Sequence, residues 1–167
     1  MQNNKAKRLY FLMSVLMLIT IYAFSAQTYK QTIATSDIIV KPVQNAAKEN
    51  VKKEFKDDKE KESYIKKLNS KIQKYIRKSA HLFLYAFLAL FIFLLKNEYD
   101  KNEYFCVMFT LIFCFVYGIF DEIHQKLIKR EGKFEDVCID LCGAFLMMCI
   151  VYAVKRFKSR RKAVEEQ

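Results

Sequence analysis

Four stretches of the chain are almost free of charge: 9–26, 79–95, 104–120 and 137–154, separated and flanked by polar, charge-dense segments. A helix needs roughly 20 apolar residues to cross the hydrocarbon of a bilayer. Each stretch is close to that length, so the pattern predicts four transmembrane helices. Residues 9–26 also fit a secretory signal peptide, with Ala23 and Ser25 at small-residue positions suited to cleavage. Three further apolar runs require a membrane in any case, which favours a retained first helix.

The long polar segment 27–78 has Pro42 early and a charge-dense part from 48 to 61 carrying both signs. Beyond it, Tyr64, Ile65, Leu68, Ile72, Tyr75 and Ile76 recur at intervals of three and four. That spacing predicts an amphipathic helix lying on the membrane surface or over the ends of the spans. After the third run, Ile119, Phe120, Ile123 and Leu127 keep helical spacing. Asp121 to Gln125 therefore belong to the last turns of that helix, with Gly132 placed to end it as a left-handed cap. The predicted fold is an all-α integral membrane protein with four transmembrane helices plus an amphipathic helix in the long first loop. Its parts are a basic N-terminus at 1–8, a membrane domain at 9–154 that includes the charged loop 27–78, and a basic tail at 155–167.

Composition sharpens the choice of solvent. Hydrophobic residues make up 53%, aromatics 15% and charged residues 28%, with a formal net charge of +11. The mean hydropathy of −0.04 hides the signal, because the apolar and charged residues are segregated rather than mixed. A basic balance suggests nucleic acid, yet the Lys and Arg residues sit in loops and tails with no compact basic face or interleaved stacking aromatics. Anionic lipid headgroups are the expected partner. Lys5, Lys7 and Arg8 before the first run and Lys155, Arg156, Lys158, Arg160, Arg161 and Lys162 after the last predict that both termini are cytoplasmic, since four spans return the chain to its starting side. The five cysteines fall in or beside apolar runs and imply no disulfide framework. Cys138 and Cys142 lie one helical turn apart but lack a second pair at zinc-site spacing.

Ionisable groups at a membrane boundary are costly and tend to be kept for a task. Here they gather from three segments. Arg77, His81 and Tyr85 recur every four residues on one helical face, with Lys78 close to it. Asp121 has His124 three residues on and Gln125 four residues on, with Glu122 beside them. Asp136 suits the N-terminus of the fourth helix. Asp140 lies a turn inside and must face a partner or water. With four spans, all of these and Arg130 fall on one side of the membrane.

The elements Arg77-Lys78-Ser79-Ala80-His81 with Tyr85, Tyr117 with Asp121-Glu122-Ile123-His124-Gln125, then Arg130, Gly132, Asp136, Asp140 and Gly143 resemble the VanZ family of bacterial membrane proteins. Phe24-Ser25-Ala26-Gln27 resembles that family's Phe-Ser-Ser-Gln signature at the end of the first helix. This chain departs from the family pattern at Leu84, where a glutamate is frequent, and at Ile128-Lys129, where a Pro-Gly turn is usual. The resemblance implies a multi-pass protein of the bacterial plasma membrane. The family's namesake is linked to low-level resistance to the glycopeptide teicoplanin.

The reading that follows is an outward-facing polar site that binds or processes a lipid-linked cell-wall precursor or a lipoglycopeptide. Arg77, Lys78 and Arg130 would hold an anionic headgroup. His81, Asp121 and His124 would act as acid, base or orienter, with Tyr85, Glu122, Gln125, Asp136 and Asp140 lining the site. No cofactor is required, although an enzyme form would place a divalent metal, zinc or manganese, on His81, Asp121 and His124 with Asp140. The alternative is a non-catalytic structural or interaction protein in which Asp140 pairs with Arg77 or Arg130. No P-loop, dinucleotide fingerprint or Ser-His-Asp arrangement is present in the sequence.

Overall fold

A computed structural model describes residues 2–26, 58–128 and 134–165, which are helical apart from the short connection after Asn97 and the turn residue Ile128. The helices are α1 (Gln2–Ala26), α2 (Asp58–Asn97), α3 (Glu103–Leu127) and α4 (Phe134–Glu165). All four are long and apolar enough to cross a membrane. At 1.5 Å per residue, the 25 residues of α3 extend roughly 37 Å, more than a hydrocarbon core of about 30 Å. The chain divides into two compact units: residues 1–26 with 81–167, and residues 27–80.

In the second unit, the periodic stretch 64–76 is not a helix of its own. It is the leading part of α2, which runs without a break from Asp58 to Asn97. Neither Gly nor Pro occurs between 58 and 97, and Lys, Glu, Arg and Leu all favour helix. The change from charged to apolar sequence near Lys78 is therefore a change of surroundings and not of backbone. Tyr64 and Tyr75 of the expected apolar face are exposed.

The first unit is turned inside out relative to a water-soluble bundle. Leu12, Leu16, Phe109, Ile112, Phe120, Phe145 and Ile150 are exposed, whereas Ser14, Ser25, His81, Thr110, Asp121, Glu122, Gln125 and Asp140 are buried. Lipid is as apolar as leucine, so burying leucine gains little there, and polar groups find their partners inside the bundle. The apolar core that remains runs through Ile21, Tyr85, Leu88, Phe93, Cys114 and Met148. Two buried hydroxyls are satisfied within their own helices: Thr110 Oγ1 donates to the Cys106 carbonyl and Ser14 Oγ to that of Tyr10, each at 2.8 Å. Tyr117 on α3 donates its hydroxyl to the Leu18 carbonyl of α1 at 2.8 Å, which ties these two helices together.

Small residues decide how closely the remaining helices approach. A Cβ placed on Gly143 of α4 would lie 2.2 Å from the carbonyl oxygen of Leu82 on α2. Only hydrogen fits at that crossing. Gly118 of α3 is looser: a Cβ there would have Val137 Cγ1 at 3.4 Å and the Tyr85 hydroxyl at 3.7 Å.

The turn between α2 and α3 is polar and capped. Asn102 accepts from the Phe105 N–H at 3.2 Å, as an N-cap should. Around this end, Lys7 sits 4.3 Å from the Tyr99 ring, Lys96 4.8 Å from Phe105 and Lys155 4.8 Å from Phe93. Lys155 also donates to Glu103 at 2.7 Å. At the other end α3 closes at Leu127, with the Ile128 N–H on the His124 carbonyl at 3.2 Å. Gly132, expected as the cap, lies outside the described residues, as does Arg130. Helix α4 carries Glu135 and Asp136 in its first turn, complementing the helix dipole. It continues past Val154 to Glu165, so most of the basic tail is helical.

Candidate functional site

Three helices each contribute one buried ionisable side chain at a common point: His81 from α2, Asp121 from α3 and Asp140 from α4. Their exposures are 7%, 5% and 3%. His81 Nδ1 lies 4.0 Å from Asp121 Oδ2 and 3.9 Å from Asp140 Oδ1. These separations exceed hydrogen-bond length but lie within ion-pair range. One ligand-type atom from each of the three falls within 4.8 Å of the others.

The backbone explains why they meet. Gly143 follows Asp140 by three residues and abuts Leu82, the neighbour of His81, so main-chain contact between α2 and α4 brings imidazole and carboxylate together. Gly118 precedes Asp121 by three residues and leaves room for the Tyr85 hydroxyl and Val137. A small residue thus stands one turn from each aspartate.

Around the three groups is a polar shell. Gln125 Nε2 donates to Asp121 Oδ2 at 2.9 Å, a bond that fixes the carboxylate. The Gln125 Oε1 atom and the Tyr85 hydroxyl have no hydrogen-bond partner among the described residues. Tyr85 is fully buried, one turn along α2 from His81, and within electrostatic range of both Asp140 and Asp121. Glu122 is buried on α3, and Asp136 is half-buried in the first turn of α4.

His124 points elsewhere. Its ring lies 4.7 Å from that of Tyr22, tilted by 39°, so it faces α1 and not His81. Arg77 and Lys78 fall in the second unit, 27–80. Of the residues singled out from the sequence, His81, Tyr85, Asp121, Gln125 and Asp140 come together. The part played by Gly118 was not legible from spacing, although a glycine one turn from a buried aspartate is a signal that could have found it. The set offers one nitrogen and two carboxylate oxygens, a combination able to hold a proton, a hydrogen-bond donor or a divalent cation.

Along the outer face of α3 and α4, Leu111, Ile112, Phe115, Cys138, Leu141, Cys142 and Phe145 line an apolar groove of about 530 Å³. Leu111 and Phe145 also line a second groove of about 400 Å³ that runs on to Glu103 and Lys155. All five cysteines are free thiols.

A family model described as VanZ/LLP1 matches residues 9–155. No curated protein and no solved structure matches the chain.

Proposed function

This chain belongs to the VanZ/LLP1 family, and from that premise we propose that it binds the anionic headgroup of a lipid-linked or lipidated envelope molecule. In the binding site the His81–Asp121–Asp140 cluster acts as acid, base or orienter beside the headgroup, and the ligand comes from the outer leaflet of a bacterial plasma membrane. Both termini are cytoplasmic, in keeping with the basic residues before α1 and at the end of α4. The observation that carries the proposal is the convergence of three buried ionisable side chains from three separate helices. Ionisable groups inside a span are expensive, and the rule is that they mark a substrate, ion or proton site. The apolar groove on α3 and α4 adds support: its 530 Å³ is in the range of small-ligand sites and suits an acyl or isoprenoid tail. Arg77, Lys78 and Arg130 supply the phosphate-directed donors in this reading.

The physiological outcome is reduced susceptibility to teicoplanin. His81→Ala or Asp121→Ala should return a host expressing this protein to full teicoplanin sensitivity while membrane levels stay unchanged. Retained resistance in both variants would overturn the proposal. In the structural alternative, charge reversal of both members of an Asp140 pair restores activity; under the proposal it does not.

A further inference from the structure

We infer that His81, Asp121 and Asp140 bind one divalent transition-metal ion of the zinc class. This rests on the site proposed above and adds the ion to it. The donor set is one imidazole nitrogen and two carboxylate oxygens, the ligand types of three-ligand zinc sites that keep a fourth position open. Zinc bonds to such atoms are about 2.0–2.2 Å, which puts tetrahedral ligands about 3.4 Å apart. The observed 3.9 and 4.0 Å from the imidazole need a closure of about half an ångström, and the two carboxylates, within 4.8 Å of each other, one of up to about 1.4 Å, which side-chain rotations of the two aspartates can supply. Calcium is a poorer fit, since it takes 6–8 oxygens.

Charge agrees with the geometry. A dication against two carboxylates is neutral as a unit, which is the form a low-dielectric interior favours. A second observation is independent of the three ligands. The Tyr85 hydroxyl and Gln125 Oε1, 0% and 3% exposed by residue, have no hydrogen-bond partner among the described residues. Water held at the open position of the ion would donate to Gln125 Oε1 and bond the phenol. Gln125 Nε2 already orients Asp121 Oδ2, as outer-shell groups orient metal-bound carboxylates. His124, three residues from Asp121, is not a ligand because it packs on Tyr22.

The test uses the full chain in nanodiscs, stripped with EDTA and titrated with Zn²⁺, following bound metal and unfolding temperature. The wild type should retain one equivalent and unfold at a higher temperature. His81→Gln, Asp121→Asn and Asp140→Asn should lose both effects, while His124→Gln keeps them. Tyr85→Phe should weaken affinity about 10- to 100-fold. Three results would overturn the inference: a wild type that retains no equivalent, variants that bind like the wild type, or uptake that vanishes when the exposed Cys138, Cys142 and Cys149 become Ser. Should a ligand variant not fold, the wild-type stoichiometry and the visible spectrum of the Co²⁺ form still decide, since four-coordinate N/O ligation differs from solvated or thiolate-bound cobalt. Metal uptake with resistance unaffected in the variants strikes only the proposed function. Loss of resistance in a protein that takes up no metal strikes only this inference.

Discussion

The Gln125 amide and the Asp121 carboxylate form a buried hydrogen bond of 2.9 Å between residues one turn apart. Removing the donor leaves a buried carboxylate short of one partner, at a cost of about 1–3 kcal/mol. Gln125→Leu should therefore lower stability by about that amount, measured by denaturant titration in detergent. His124→Ala, which loses only the stacking with Tyr22, should cost less. Tyr117→Phe deletes the bond to Leu18. By the average for such bonds in membrane proteins it should cost about 0.6 kcal/mol, and no more than about 1.7. This scale also explains where the sequence was ambiguous. Spacings of three and four make His124 and Gln125 equal neighbours of Asp121. At about 100° per residue, however, Gly118, Asp121, Gln125 and Glu122 share one stripe, and His124 lies about 110° from its centre. The buried stripe points at α2 and α4, leaving the histidine to α1. Spacing names neighbours; it does not say which way a helix is turned.

At the scale of helices, glycine contacts control the site. Gly143→Ala would drive a methyl into the Leu82 carbonyl, and overpacking of this kind costs about 1–3 kcal/mol. The expected outcome is a destabilised bundle in which His81 and Asp140 separate. Gly118→Ala meets its nearest neighbour at 3.4 Å and gains up to about 1 kcal/mol of helix propensity. It should fold as well as the wild type or better. Comparing thermal unfolding of the two variants checks both statements. The four spans were legible because runs of uncharged residues have one cheap conformation in lipid. The continuity of α2 was hidden, because the switch from charged to apolar sequence resembles a boundary while the backbone, lacking Gly or Pro, has no reason to stop.

For the whole molecule, the polar cluster and the ring of lysines over aromatic rings lie toward opposite ends of the first unit. The lysine end includes Lys7, Lys96 and Lys155, and long basic side chains of this type reach from apolar surface to the headgroups. In a cysteine-free background, single cysteines at Asp100 and Lys129 should react with a membrane-impermeant maleimide from opposite faces, Lys129 from outside intact cells. Labelling of both from one face would refute the four-span arrangement. Glu103→Gln breaks the pair with Lys155, but both side chains are more than a third exposed, so the loss should stay within about 1 kcal/mol and shrink with added salt.

The meeting of Gly143 with the Leu82 carbonyl also bears on how the protein responds to its surroundings. Membranes differ in thickness, and spans answer by tilting. Two helices locked main chain to main chain must lean as one body, so the gap between imidazole and aspartate stays constant while the bilayer thins or swells around it.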